Sequence, residues 1–188
     1  SGGRTALFVS DDYGVTFRRT ELSDFRVDGN GMGRGNGERL AVDPKNSDIV
    51  YAGFMSSGGM IKSTDGGQTY TTLDLGTDTT TSNSNGICSI IIDPNSGDEN
   101  SCSTIYAAIS RKGDYNIYKS TDAGTTWAPV EEAPQGLMVQ RMKYNGDGKI
   151  VITYADAEGP WNNNRSSGGI RMLNMADDTF TDITPKKQ

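Results

Sequence analysis

Ser63-Thr64-Asp65-Gly66-Gly67-Gln68-Thr69-Tyr70 returns as Ser120-Thr121-Asp122-Ala123-Gly124-Thr125-Thr126-Trp127, and an earlier copy is Ser10-Asp11-Asp12-Tyr13-Gly14-Val15-Thr16-Phe17. All three fit Ser-x-Asp-x-Gly-x-Thr-aromatic, and their starts at 10, 63 and 120 are 53 and 57 residues apart. A recurring interval of this size marks a repeat architecture. Within the turn an Asp carboxylate accepts from backbone N–H groups of its own loop. The Gly takes a backbone angle that other residues resist, and the aromatic packs back over the hairpin. A residue repeated at equivalent places is architecture. Asp12, Asp65, Asp122 and Trp127 are therefore read as structural, not as catalytic or calcium-binding residues.

Short β-branched runs flank each turn, bounded by Gly, Asn, Asp and Pro, as strands are. Arg39–Val42, Ile49–Ala52, Met60–Ser63 and Thr69–Leu73 form one set of four. Ser89–Ile92, Thr104–Ala108, Asn116–Ser120 and Thr126–Val130 repeat the order. Gln140–Tyr144, Lys149–Tyr154, Gly169–Leu173 and Thr179–Ile183 repeat it again, with the turn at Asn174–Asp178 decayed. Four antiparallel strands per ~50 residues predict a β-propeller blade; the alternative is a β-sandwich with incidental turn similarity. The first unit holds only a third strand within Ser1–Ser10 and a fourth at Thr16–Thr20. The expectation is an all-β propeller fragment of about three and a half blades. Residues 1–22 are an outer hairpin and residues 38–74, 87–131 and 138–184 are full blades. Such a piece leaves blade faces open, which points to part of a larger or split propeller.

Composition agrees with many short strands: of 188 residues 24 are Gly, and 34% are hydrophobic. A net charge of −6 argues against nucleic acid, which needs a basic face. The absence of His removes Ser-His-Asp and Cys-His nucleophiles and His-based zinc sites. No metal or cofactor is expected. No apolar run approaches the ~20 residues of a membrane span, so no membrane partner is expected. With no initiator Met and no visible leader, the chain reads as a mature piece or an excised part. Cys88 and Cys102, 14 residues apart, are either a disulfide joining adjacent strands or two buried thiols.

Ligand candidates lie on loops at the ends opposite the repeated turns. The Gly-rich run Asp28–Glu38 fails as a calcium loop, because Met32 holds its fifth position and Arg39 its twelfth. It fails as a phosphate loop because a strand follows it, not a helix. It remains a long connection on the ligand side, as do Phe54–Gly59, Leu75–Gly86, Arg111–Tyr115, Glu131–Met138 and Ala155–Gly168. Trp161, in Gly159-Pro160-Trp161-Asn162, is the leading sugar platform; the alternative tucks it against its own blade. Tyr115, Phe54 and Arg34 are further candidates. Asp156 and Glu158 stand two apart beside Trp161, but spacing on one loop does not establish the carboxylate separation that glycoside hydrolysis needs.

The segment Asn30-Gly31-Met32-Gly33-Arg34-Gly35-Asn36-Gly37-Glu38-Arg39-Leu40-Ala41-Val42-Asp43-Pro44 resembles a Gly-Arg-Gly-x-Gly-Glu-Arg-Leu-Ala-x-Asp-Pro segment of glycoside hydrolase family 74, the xyloglucanases. Tyr118–Trp127 and Ile152–Trp161 are similar to that family too, although family members often carry Tyr after Gly-Pro. The turns alone, of Asp-box type, are also found in sialidases and sortilin-type receptors. The resemblance implies a propeller facing a second one across a cleft, and inverting cleavage of the β-1,4-glucan backbone of xyloglucan by one Asp from each propeller. It places this chain inside the first propeller and carries neither Asp onto it, so no catalytic residue is assigned. It implies that Asn30, Met32, Arg34, Asp156, Glu158 and Trp161 wall the glucan cleft. The implied partners are plant cell-wall β-glucan or xyloglucan and the remaining blades or a second propeller; the implied location is extracellular. The alternatives are a non-catalytic β-glucan-binding module and a protein-interaction propeller of sortilin type.

Overall fold

The computed structural model describes residues 6–22, 38–55, 58–156 and 167–186. Strands β1 (Ala6–Val9) and β2 (Arg18–Glu21) make a hairpin. Strands β3 (Leu40–Asp43), β4 (Asn46–Gly53), β5 (Met60–Ser63) and β6 (Thr71–Leu73) form a meander. So do β7 (Ile87–Ile92), β8 (Ile105–Ile109), β9 (Ile117–Ser120) and β10 (Ala128–Pro129). The last meander is β11 (Met138–Tyr144), β12 (Lys149–Ala155), β13 (Gly168–Asn174) and β14 (Phe180–Asp182). All pairings are antiparallel and sequential. No helix is present among the described residues. The strands lie within a few residues of their predicted positions.

Alternation along the strands explains how the sheets stack. In β8, Ile105, Ala107 and Ile109 face the preceding blade, where Tyr51 and Met60 meet them. Tyr106 and Ala108 face the following blade, against Met142 and Ile150. Both faces are covered, so every residue of β7 and β8 is buried. This is the reading expected of a strand sandwiched between layers. The innermost strands carry the stacking: β7 lies on β3 and β4, and β11 on β7 and β8. At Gly53 the backbone approaches so closely that a Cβ would sit 2.7 Å from Ile87 Cβ.

The repeated turn has one geometry in all three copies. The Ser hydroxyl donates to the Asp Oδ1 at 2.8 Å, and the Thr hydroxyl donates to Oδ2 at 2.6 Å. The backbone N–H of the Thr donates to the carboxylate, and that of the Gly donates to the Ser hydroxyl. The aromatic folds back onto its turn, with Trp127 Nε1 donating to Gly124 O at 3.1 Å. Beyond what the motif predicts, the residue before the Gly is left-handed as well: Tyr13 at φ 57°, Gly66 at 67° and Ala123 at 56°. That bend presents a carbonyl to the preceding blade. Tyr51 Oη and Lys62 Nζ both donate to Ala123 O, at 3.1 and 2.8 Å. Arg18 and Thr20 reach Gly66 O and Gly67 O in the same way. At the decayed turn Asp178 (φ 57°) takes the role with its carboxylate, accepting from Tyr106 Oη and Lys119 Nζ.

The cysteines are not bonded. Both thiols are free and buried, Cys88 facing the last blade and Cys102 the second. The disulfide alternative fails on register. Cys88 stands beside the Ile87↔Ile109 end of the β7–β8 hairpin and Cys102 beyond its Ile92↔Ile105 end. At ~3.3 Å per residue they are roughly 13 Å or more apart, against a limit near ~7 Å between Cα atoms. Burial pushes the Cys88 thiol up to about 12 and the Cys102 thiol to about 11.

Candidate functional site: the loop face opposite the repeated turns

Antiparallel meanders sort their connections onto two ends. Turns joining first to second and third to fourth strands lie at one end, and the repeated turns are among them. Connections from second to third strand, and from blade to blade, lie at the other. The described parts of that second end are residues 22, 38–39, 54–55, 58–59, 74–86, 110–116, 130–138, 156 and 167. One side chain ties much of it together. Arg111, with 13% of its side chain exposed, donates from Nε to Tyr115 O at 2.7 Å and from Nη1 to Asp78 O at 2.8 Å. Its Nη2 donates to Thr77 Oγ1 at 3.1 Å and Tyr118 Oη at 2.9 Å. A planar fork with several fixed donors suits this task where a flexible ammonium does not.

Asn116 continues the network. Its Nδ2 donates to Pro134 O at 2.8 Å and Leu137 O at 3.1 Å, while Gly113 N donates to Gln135 O at 2.7 Å. Asn83 Nδ2 donates to Ser110 Oγ at 3.0 Å, and its Oδ1 accepts from Thr81 Oγ1 at 2.8 Å and Asn85 N at 3.0 Å. Thr79 Oγ1 accepts from Gly59 N at 3.2 Å. Loops 74–86, 110–116 and 130–138 thus form one cross-linked plateau. Asn85 is buried beneath it, and among the described residues neither atom of its carboxamide has a hydrogen-bond partner. Asp74, Asp78, Asp114, Glu131 and Glu132 are exposed on this end. The Thr80 hydroxyl and N–H hold the Asp78 carboxyl below its usual range. Such a surface offers hydroxyl-matching acceptors and amides, not an anion site.

Of the candidates named from sequence, Tyr115 is half-buried on this end and packs partly against the core between the second and third blades. Asp156 closes the base of its loop: its N–H donates to Ser167 O at 3.1 Å, and its Oδ2 accepts from Ser167 N at 2.9 Å. Phe54 is corrected. It is 1% exposed, among Leu22, Ala52 and Ile61, so its ring is core and not a platform. Phe54 directly follows β4 and joins Ala52 in that cluster, so its ring lies inward despite the Gly-rich sequence after it. Asn30, Met32, Arg34, Glu158 and Trp161 lie outside the described residues. Sequence reasoning missed Arg111 and Asn116 as organisers, because their partners are scattered through the chain. Asp12, Asp65 and Asp122 stay in their turns at the far end. Among the described residues no cluster of His, Cys, Asp or Glu forms a metal site.

Consecutive four-stranded meanders stacked through their first strands, with ligand-side loops bound into one plateau, define a segment of a β-propeller. No family model matches the chain. Similarity to individual proteins is extensive. The chain is 44% identical to the GH74 enzyme of Niastella koreensis, with a TM-score of 0.89 over 98% of this chain and 26% of that one. The GH74 xyloglucanase of Xanthomonas campestris gives 31% identity and a TM-score of 0.84, over 99% of this chain and 27% of that one. A xyloglucanase of Hypocrea jecorina is 37% identical over 96% of this chain and 23% of its own length. The chain is xyloglucanase-like, of glycoside hydrolase family 74. It spans about a quarter of the length of these relatives.

Proposed function

We propose that this chain is part of an inverting, endo-acting xyloglucanase and forms one wall of its glucan-binding cleft. The observation that carries the reading is the likeness to the Niastella koreensis enzyme, which runs through nearly the whole chain at 44% identity. The cross-linked plateau supports it physically. A polysaccharide is bound best by loops already held in place, because ordering them on binding would cost affinity. In this reading Tyr115 and the flanking carboxylates and amides contact sugar, Asp156 sets the base of the loop that bears Glu158 and Trp161, and Trp161 stacks on a sugar face. Asn30, Met32 and Arg34, on the connection between the first and second blades, contact the same glucan. The catalytic Asp pair belongs to other parts of the parent polypeptide, which also supplies the remaining blades or a second propeller. The substrate is cell-wall xyloglucan, and the enzyme works outside the cell.

Affinity electrophoresis in xyloglucan-containing gels tests this. The chain should be retarded, Trp161→Ala should migrate faster than wild type in those gels, and no reducing ends should form. Release of oligosaccharide by the chain alone would show that a catalytic pair lies within it. No retardation at all would remove the sugar reading and favour a protein-interaction propeller.

A further inference from the structure

We propose that Asn145 is a site of non-enzymatic modification, at which ring closure onto Gly146 and hydrolysis yield aspartate and isoaspartate. The sequence contains four Asn-Gly pairs, starting at Asn30, Asn36, Asn85 and Asn145. The first two lie outside the described residues. Asparagine is a chemically labile side chain, and a following glycine puts no Cβ beside the attacking nitrogen. The backbone nitrogen of Gly146 gives up its proton and attacks Asn145 Cγ. The Cγ–Nδ2 bond breaks, ammonia leaves with that proton, and a succinimide ring closes. Water then adds to one of the two ring carbonyls. Opening at Cγ restores the main chain and leaves aspartate. Opening at the backbone carbonyl leaves isoaspartate, whose main chain runs through the former side chain. One water enters, one ammonia leaves, and nothing is oxidised or reduced.

The fold separates the two described pairs. Asn145 and Gly146 are exposed on the turn that joins β11 to β12. Gly146 is left-handed at φ 88°, and a Cβ placed on it would meet no atom of the described residues within 4 Å. The ring and the incoming water therefore have room. The backbone bond that closes this turn, from Asn145 N to Lys149 O at 2.8 Å, uses the nitrogen of Asn145 and not the attacking one. Asn85-Gly86 is the opposite case. Asn85 is 1% exposed. Its attacking nitrogen, Gly86 N, already donates to Thr81 Oγ1 at 3.0 Å, and Gly86 O accepts from Ser110 N at 2.9 Å. That pair can react only after the loop opens locally. At Asn145 the product carboxylate joins Asp147, which is 86% exposed and lies 3.9 Å from Lys149 Nζ. The chain becomes one unit more negative than its formal −6. Isoaspartate also adds a main-chain atom between Tyr144 and Ile150, which pair across β11 and β12. The turn lies at the end of the repeated turns, so the change does not depend on glucan binding.

The test incubates the unaltered chain in mildly alkaline buffer, both native and in denaturant, and follows its peptides by mass spectrometry. In the native chain the Asn145 peptide should gain the mass of an amide-to-acid change at least about tenfold faster than the Asn85 peptide, which waits on opening. In denaturant the two peptides should convert within about threefold of each other, because no fold distinguishes them there. A protease that cuts before aspartate should leave part of the converted Asn145 peptide uncut, which marks isoaspartate. Equal or faster native conversion at Asn85 would overturn the proposal. So would an Asn145 peptide that converts in denaturant but not in the native chain, or a product that is cut completely.

Discussion

Replacing Arg111 by Ala tests whether the plateau is held by one side chain. The guanidinium makes four hydrogen bonds at 2.7–3.1 Å, two of them to backbone carbonyls in loops 77–86 and 111–116. Its carbon lies 5.8 Å from the Tyr118 ring centroid. A charge-assisted bond contributes about 1.5–3 kcal/mol. The freed acceptors lie at the loop end and regain water, so the total is discounted to about 3 kcal/mol, roughly a hundredfold in an opening equilibrium. The loss should be local, because the stacked sheets beneath are built from other residues. Hydrogen exchange read by mass spectrometry should show amides of residues 77–86 and 111–116 exchanging about a hundredfold faster in Arg111→Ala. Those of β7 and β8 should change little. Arg111→Lys should lie nearer to Ala than to wild type, since one ammonium cannot reach all four acceptors. Unchanged protection of residues 77–86 in Arg111→Ala would refute the clamp.

Other consequences follow from the same geometry. Thr16 and Thr126 lead the interactions that hold the Asp12 and Asp122 carboxyls down at about 2. These values lie below the unfolded one near ~3.9, so the stabilisation is fully present above about pH 4 and is lost as pH falls through about 2. Thermal melts should show that loss, and Thr126→Val should raise the Asp122 titration measured by NMR toward the ordinary range; an unmoved titration would refute the assignment. Gly53→Ala should cost about 1–3 kcal/mol by forcing β4 off β7, read as a lowered denaturant midpoint at unchanged slope. Both cysteines should resist thiol reagent in the native chain, and both should react in denaturant without prior reduction.

The repeated turn was legible because eight contiguous residues contain the Ser, Asp, Gly and Thr hydrogen bonds that define it. The blades followed from it, since their strands alternate at period two and are punctuated by Gly, Asn and Pro. Interactions between blades were not legible. Nothing in Asp122-Ala123-Gly124 announces that Ala123 O accepts from Tyr51 and Lys62, 72 and 61 residues away. The Cys88–Cys102 spacing suggested neighbours on adjacent strands, and the hairpin register then put them at opposite ends. Phe54 looked exposed because Gly-rich sequence follows it, while its own burial is decided by Ile61 on the next strand. Arg111 could be placed on the right loop, but a fork whose acceptors lie 33 and 34 residues away has no local signature.

The most direct test of the central claim is a hydrogen-exchange footprint of the 188-residue chain with and without a xyloglucan oligosaccharide. The account predicts added protection in residues 77–86, 111–116 and 131–138 and none in the turns at 10–17, 63–70 and 120–127. Protection centred on those turns, or none anywhere at saturating oligosaccharide, would contradict it.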